Sequence, residues 1–460
     1  MERQQEMSRL FIPSGESGKG GTGTATREGQ QVSVESRAKE TLAQDLMQVV
    51  CSRNNLNRAY KRVKSNKGAA GIDGMSVNEL SAYIKVHKED LVASLLEGRY
   101  QPQAVKGVEI PKPKGGVRQL GIPTVLDRLI QQAIHQVLEP LFEPKFSSSS
   151  YGFRPKRSAH QALKAASEYV KSGKEWVVDV DLAKYFDQVN HDILMSRLAR
   201  VIGDKVLLKL IRRFLQAGMM VNGVVMERQA GTPQGGPLSP LLSNIMLNEL
   251  DWELESRGHT FCRYADDCNI YVSSEQAGIR VMKSVKRFLA TRLKLQINEA
   301  KSAVAQVNTR QFLGYRIGLN GWLSVSDDSL KRMKDKVRQL TKGNRGISLE
   351  WVVDSLNTYL PGWFQYFSQT TGISLFRDLD GWIRRRLRCY RLKQRKRKWP
   401  IATWLMKLGV SRQNAWRLAK SDKSWWRKSH NPIINTAMPN EWFDTLGLFS
   451  LYTKARTLKA

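Results

Sequence analysis

Apolar residues recur along this chain in two rhythms, and the rhythm changes several times. From about Leu42 the spacing is helical. KGAAGIDGMSV (67–77) reads as a glycine-rich turn entering a helix. VEIPKPKGGVRQLGIPT (108–124) predicts two strands joined through PKPKGG. Leu126, Leu129, Ile130, Ala133, Ile134, Val137 and Leu138 then keep helical spacing. WVVDVDLAKYF (176–186) opens as a strand whose apolar positions crowd around two acids, and 192–216 returns to helix. GTPQGGPLSPLLSNIMLNEL (231–250) predicts a loop running into a helix, with Pro240 tolerated in its first turn. FCRYADDCNIYV (261–272) predicts a largely buried hairpin, and Ser273 opens SSEQ, a capping box for the next helix. After about Ser324 the pattern is helical throughout, and no repeat is visible.

Composition adds three constraints. At 460 residues and 41% hydrophobic content, the chain has room for two to four domains. Its formal net charge of +32 asks for a polyanionic partner, and nucleic acid leads. Four cysteines form no CxxC pair, so neither a disulfide framework nor a zinc site is expected, and a reducing cytosol suits them. The polar start MERQQEMSRL predicts no secretory signal, and the uncharged stretch from Gln229 to Asn248 carries three prolines and is not read as a membrane helix. Residues 11–37, rich in Gly, Ser, Thr and Gln, predict a flexible tail. Within it GKGGTGTA (18–25) imitates a phosphate loop, but the lysine is misplaced and no strand precedes it.

The adjacent acids Asp266 and Asp267 then demand an account. A DD pair often forms a solvated turn. Here its flanks, Phe261, Tyr264, Ile270, Tyr271 and Val272, predict burial, and a buried carboxylate pair needs a cation. Oxygen ligands alone favour Mg2+. Asp179, Asp181, Asp187 and Asp192 are the other candidates, and strand alternation places Asp179 and Asp181 on one face. The simpler alternative is that Asp179 or Asp187 pairs with a neighbouring cation. Carboxylates gathered around two ions transfer phosphoryl groups, which with a basic surface suggests a polymerase or a nuclease.

The ordered set of short blocks resembles a known family. Tyr264-Ala265-Asp266-Asp267 is similar to the YxDD box of reverse transcriptases, in the form typical of group II intron-encoded proteins. GIDG (71–74), IPKPKGGVRQLGIPT (110–124), SYGFRP (150–155), DLAKYFDQVNHD (181–192), TPQGGPLSPLLSN (232–244), INEAKS (297–302) and FLGY (312–315) resemble successive blocks of that family, in its order, over about residues 50–320. LNTYLPGWFQYF (356–367) and LDGWIRRRLR (379–388) resemble its maturase-specific thumb, or X domain.

The resemblance implies an α+β right-hand polymerase. Its parts would be an N-terminal extension (1–41), fingers (42–175), a palm with an antiparallel sheet (176–322), a helical thumb (323–398) and a small basic DNA-binding helical domain (399–460). It implies RNA-directed DNA synthesis with two Mg2+ ions, held by Asp181, Asp266, Asp267 and the carbonyl of Leu182. Lys112 and Arg118 would grip the incoming triphosphate, Phe186 would exclude a ribose 2′-OH, Gln234 would lie near the nascent pair, and Lys301 would protonate pyrophosphate. Bland alternatives are a solvated basic hairpin for Lys112 and Arg118, a core aromatic for Phe186 and a surface lysine for Lys301. The implied partners are the group II intron RNA, target DNA with its primer, and dNTPs, with no membrane and a homodimer left open. The implied location is the bacterial cytoplasm, at the nucleoid when acting on DNA.

Between Arg384 and Lys398 ten of fifteen residues are Lys or Arg. Ile383, Leu387 and Tyr390 form one buried helical stripe, leaving Arg384, Arg385, Arg388 and Arg391 to project, with Lys393, Arg395 and Lys396 beyond, for phosphate tracking. Nine of twelve Trp lie at or beyond Trp351, and most are expected in cores. After Cys389 the chain has no cysteine and only His430, so the zinc-braced H-N-H nuclease of many relatives is not expected, as in the compact bacterial class C subgroup. Three rivals remain. A retron-type or diversity-generating enzyme is opposed by the thumb blocks, an inactive splicing factor by the intact acids, and a nuclease by Phe186 and Gln234.

Overall fold

In the computed structural model, residues 44–111, 115–221, 224–226, 230–232, 235–343 and 346–459 are described, with Arg118 and Val224 described through their backbones only. The N-terminal extension, its GKGGTGTA segment, Lys112 and Gln234 lie outside the described residues. The chain forms two compact units. One holds the described residues up to Ala166 with Trp176–Ala305; the other holds Ser167–Glu175 with those from Gln306 onward.

The first unit begins with α1 (Leu46–Cys51), α2 (Arg53–Ser65) and α3 (Leu80–Leu96). The hairpin β1 (Val105–Pro111) and β2 (Val117–Ile122) leads into α4 (Val125–Phe142), matching the change of rhythm in the sequence. Helix α5 (Ala159–Lys171), strand β3 (Trp176–Val180) and the short α6 (Tyr185–Gln188) follow. The helix predicted over 192–216 is two helices, α7 (His191–Ala199) and α8 (Lys205–Gln216). The break has a local cause. Asp204 caps α8, accepting from Val206 N and Leu207 N at 2.9 and 3.0 Å through one oxygen and from Met47 N at 2.7 Å through the other.

Two strands of three residues each, β4 (Met219–Val221) and β5 (Val224–Met226), were not anticipated; β4 pairs in parallel with β1, giving a sheet ordered β2-β1-β4-β5. Then come α9 (Ser239–Ser256), which carries Pro240 in its first turn, the hairpin β6 (Thr260–Tyr264) and β7 (Asp267–Val272), α10 (Glu275–Phe288) and β8 (Ala303–Gln306). The second sheet is ordered β6-β7-β3-β8, with β7 antiparallel to both β6 and β3. Its middle strands are buried on both faces: on one, Val178, Val180, Cys268 and Ile270, with Phe261 of the edge strand β6, join Ile130, Ile134, Leu242 and Met246 in one core, and on the other Val177, Asn269 and Tyr271 are buried. Helix α10 is capped by Ser274, which accepts from Ala277 N, one residue later than the SSEQ pattern suggested.

The second unit contains the small hairpin β9 (Tyr315–Ile317) and β10 (Leu323–Val325), then helices only. These are α11 (Asp327–Leu340), α12 (Leu349–Phe367), α13 (Ser374–Arg395), α14 (Lys398–Lys407), α15 (Arg412–Lys420), α16 (Trp425–Lys428), α17 (Pro432–Ala437), α18 (Asn440–Thr445) and α19 (Leu451–Lys459). Phe376, Leu379, Ile383, Leu387 and Tyr390 form the buried stripe of α13. Asp380 on the same helix accepts from Leu451 N, Tyr452 N and the Ser450 hydroxyl, tying α19 to α13. No described helix is long and apolar enough to cross a membrane.

Candidate active site

The register of the second sheet gathers the acids. Val180, the last residue of β3, stands opposite Cys268, so Asp181 comes level with Asp267 at the start of β7. Asp179 faces the half-buried side two residues earlier, opposite Asn269. The hairpin closes through the pair Tyr264 and Asp267, leaving Ala265 and Asp266 as a two-residue turn. Ala265 takes a φ of 59°, a left-handed conformation that costs a non-glycine residue roughly 1–2 kcal/mol.

A buried arginine supports that turn. Arg263 and Asp251 are both 0% exposed and meet through two hydrogen bonds, of 2.7 and 2.6 Å. The remaining guanidinium N–H groups donate to Asn244 Oδ1 (3.0 Å), the Ala265 carbonyl (2.9 Å) and Ser150 Oγ (2.7 Å). All five donors of the side chain are therefore used. Asn244 donates in turn to the Gly152 carbonyl, and a Cβ on Gly152 would stand 2.3 Å from Ala265 N. Three blocks far apart in sequence, SYGFRP, the end of TPQGGPLSPLLSN and YADD, thus meet around one guanidinium. The sequence reading missed Arg263; a lone arginine in an otherwise apolar strand was the available signal.

The segment after β3 is held by the INEAKS block. Asp181 N donates to Ser302 Oγ (2.9 Å), Asn298 N to the Asp181 carbonyl (2.8 Å) and Ala183 N to the Gln296 carbonyl (2.9 Å). These bonds leave aside the carbonyl of Leu182, whose side chain is buried. Lys301 Nζ lies 3.4 Å from Asp181 Oδ2. Half-buried Phe186 packs edge-on to Tyr185, and its carbonyl accepts from Thr232 N at 2.7 Å, so the loop carrying TPQGG starts against it. Gly235 lies where a Cβ would reach within 2.5 Å of the Gly121 carbonyl, and Gly236 where one would meet Gln131 Oε1. This is the close backbone approach that two glycines permit.

Electrostatically the acids crowd one another. Desolvation, then the charges of Asp266, Asp179 and Asp181, push the Asp267 carboxyl up to about 7, and Lys301 pulls the other way. Asp267 is itself exposed at the rim, so water screens part of this push. Among the described residues no three carboxylate, imidazole or thiol groups close into a ready metal cluster. Lys301 is the cation beside them, 3.4 Å from Asp181. The donor set still fits a hard divalent cation, because such an ion supplies the charge that this crowding calls for.

In the second unit the cations differ from expectation. Arg388 does not project: it is 8% exposed, donates twice to the Met438 carbonyl (3.0 and 2.6 Å) and lies over Phe443. Burial lowers its guanidinium to about 10. Arg385 lies 4.0 Å over the Trp426 ring, and Arg391 bonds Gln394. Arg395 is half-buried over Trp404. Arg384 is half-buried, while Lys393 and Lys396 are exposed. The Trp residues are less buried than expected. Trp363 and Trp404 are in the core, Trp351 and Trp399 are exposed, and the other five beyond Trp351 are half-buried.

An antiparallel sheet presenting paired acids on a hairpin turn, opposite a third acid at the end of the neighbouring strand, defines a palm of the reverse-transcriptase class. Residues 110–317 match the family of reverse transcriptases (RNA-dependent DNA polymerases), and residues 330–409 match the group II intron maturase-specific domain. Protein YkfC of Escherichia coli is 34% identical over 315 residues, spanning 60% of this chain and 83% of that protein. The group II intron-encoded protein LtrA of Lactococcus lactis is 40% identical over 194 residues, 42% of this chain and 32% of LtrA. A putative COX1/OXI3 intron 1 protein of Saccharomyces cerevisiae is 29% identical over 293 residues, 62% of this chain and 34% of that one. The chain belongs to the group II intron-encoded reverse transcriptase and maturase family. Its alignment spans only about a third of LtrA and of the yeast protein.

Proposed function

We propose that this protein copies RNA into DNA by two-metal nucleotidyl transfer and binds a group II intron RNA to assist its splicing and mobility. The observation that carries the reading is the register that sets Asp181 level with Asp267 beside the strained YADD turn. Asp181, Asp266, Asp267 and the Leu182 carbonyl would hold two Mg2+ ions. When bound, these ions supply charge stabilisation to the attacking 3′-oxygen and the leaving pyrophosphate. The chain's own residues orient the reactants, which is most of the catalysis in phosphoryl transfer. Lys112 and Arg118 would hold the triphosphate, a point charge and a planar fork suited to it. Gln234 would lie beside the nascent pair. Phe186 would lie under the incoming sugar and exclude a 2′-OH by contact. Lys301, which lies beside Asp181, would give a proton to pyrophosphate.

The same reading assigns intron RNA, target DNA with its primer, and dNTPs as partners. Arg384, Arg385, Arg391, Lys393, Arg395 and Lys396 would face nucleic acid; Arg388 acts through the packing of α13 on the C-terminal helices. The test of the maturase half is a splicing assay with the cognate intron. Added protein is expected to accelerate splicing at low Mg2+, and the Phe186→Ala variant to do so equally while accepting ribonucleotides in primer extension. Splicing indifferent to the protein, or an unchanged preference for deoxynucleotides, contradicts the corresponding half.

A further inference from the structure

A basic site lies among the C-terminal helices of the second unit. The end of α13, the start of α14, the end of α15 and the segment leading into α16 enclose a cavity of about 380 Å³. Lys396, Lys398, Lys423 and Lys428 line it, with Asp422 as its one carboxylate and Trp425 as its one aromatic ring. Four lysines against one aspartate leave a net charge of +3 on the lining. Among the described residues none of the four forms an ion pair, and Asp422 does not close one with them.

Lys428 is the telling member. It is only 7% exposed, yet it has no carboxylate partner, and its ammonium rests 4.9 Å over the Trp425 ring. Burial lowers its pKa, with the charge of Lys398 adding to the effect and Asp422 opposing it. Its stem is packed while its ammonium is left without an anion at the cavity wall, and folding alone gives no reason to collect three more lysines around that point. The lining fits a compact, strongly charged oxyanion: point-charge donors that rotate to meet it and an aromatic wall beside it.

We propose that this cavity seats one backbone phosphate of the bound nucleic acid, shared by Lys428, Lys396, Lys398 and Lys423. The proposal rests on the nucleic-acid-binding function above and adds a defined phosphate seat to it. One phosphate shared by several lysines has a thermodynamic signature, because counterions are released per phosphate neutralised, not per lysine.

The test is binding of the full chain to a short RNA hairpin, titrated across KCl concentration. Lys428→Met, which keeps the packed stem, is expected to reduce the slope of log affinity against log salt by about 0.7–0.9, one phosphate's worth. Adding Lys398→Gln and Lys423→Gln is expected to reduce it no further. Two results overturn the seat: an unchanged slope in the triple variant, or additive losses of two or more phosphates, which would mean separate surface contacts. Should Lys428→Met fail to fold, Lys423→Glu at its exposed position carries the same test, with Lys398→Glu adding nothing further. Extension of a pre-saturated template–primer is expected to keep its wild-type rate in all these variants; loss of that rate with an unchanged slope signals damage to the fold and also overturns the seat. Absence of salt-dependent RNA binding by the wild-type chain would instead overturn the functional reading beneath it, so the two failures are distinguishable.

Discussion

At the scale of single residues, the acids were legible and their scaffold was not. Asp266 and Asp267 announce themselves as two like charges inside an apolar hairpin, whereas alternation left Asp179 and Asp181 both open and only the family resemblance chose Asp181. Nothing in a local pattern says that Arg263 reaches Asp251, Asn244, Ser150 and Ala265, because those partners lie 12, 19, 113 and 2 residues away and converge only in the fold. The guanidinium holds the carbonyl of the one left-handed residue in the turn. Arg263→Met alone leaves Asp251 buried and unpaired, a loss of about 3–5 kcal/mol. Arg263→Met combined with Asp251→Leu removes both charges and is expected to fold with little change in Tm. If the arginine positions the turn, the double variant still loses kcat by about tenfold, the worth of one charge-assisted hydrogen bond, at unchanged template–primer affinity. Wild-type kcat in a folded double variant would reduce Arg263 to a packing residue.

At the scale of elements, the long periodic helices and the two large hairpins were readable, and the short or interrupted elements were not. Strands β4 and β5 are three residues each, too short for any period to show. The break between α7 and α8 was signalled by Gly203-Asp204, a stop followed by a cap, which the continuous apolar spacing obscured. The start of α4 holds a second, testable device. Asp127 accepts from Thr124, Tyr100 and Gln103 while fully buried, and burial pushes its carboxyl up to about 6. A carboxyl raised by folding stabilises the fold below its unfolded pKa of 3.8, and that contribution disappears as pH rises toward 6. Its size is about 3 kcal/mol. The Tm difference between wild type and Asp127→Asn should therefore move in the variant's favour from pH 4 to 6 and level off above that. A difference independent of pH would mean that Asp127 is ionised throughout.

At the scale of the whole molecule, the net charge of +32 and the order of the blocks pointed to the family before any coordinate did. Charge counting could not say which cations are available. Arg388 is consumed by packing, while Lys428, unremarkable in sequence, opens into a basic cavity. The three acids, by contrast, are brought together by the register of one sheet. That makes the catalytic claim the one to test first, by extension of a DNA primer annealed to an RNA template with dNTPs and Mg2+. The wild-type chain is predicted to synthesise cDNA, and Asp266→Ala with Asp267→Ala to make none while binding the same template–primer. Primer extension by the double variant at a rate near wild type would contradict the assignment of the site.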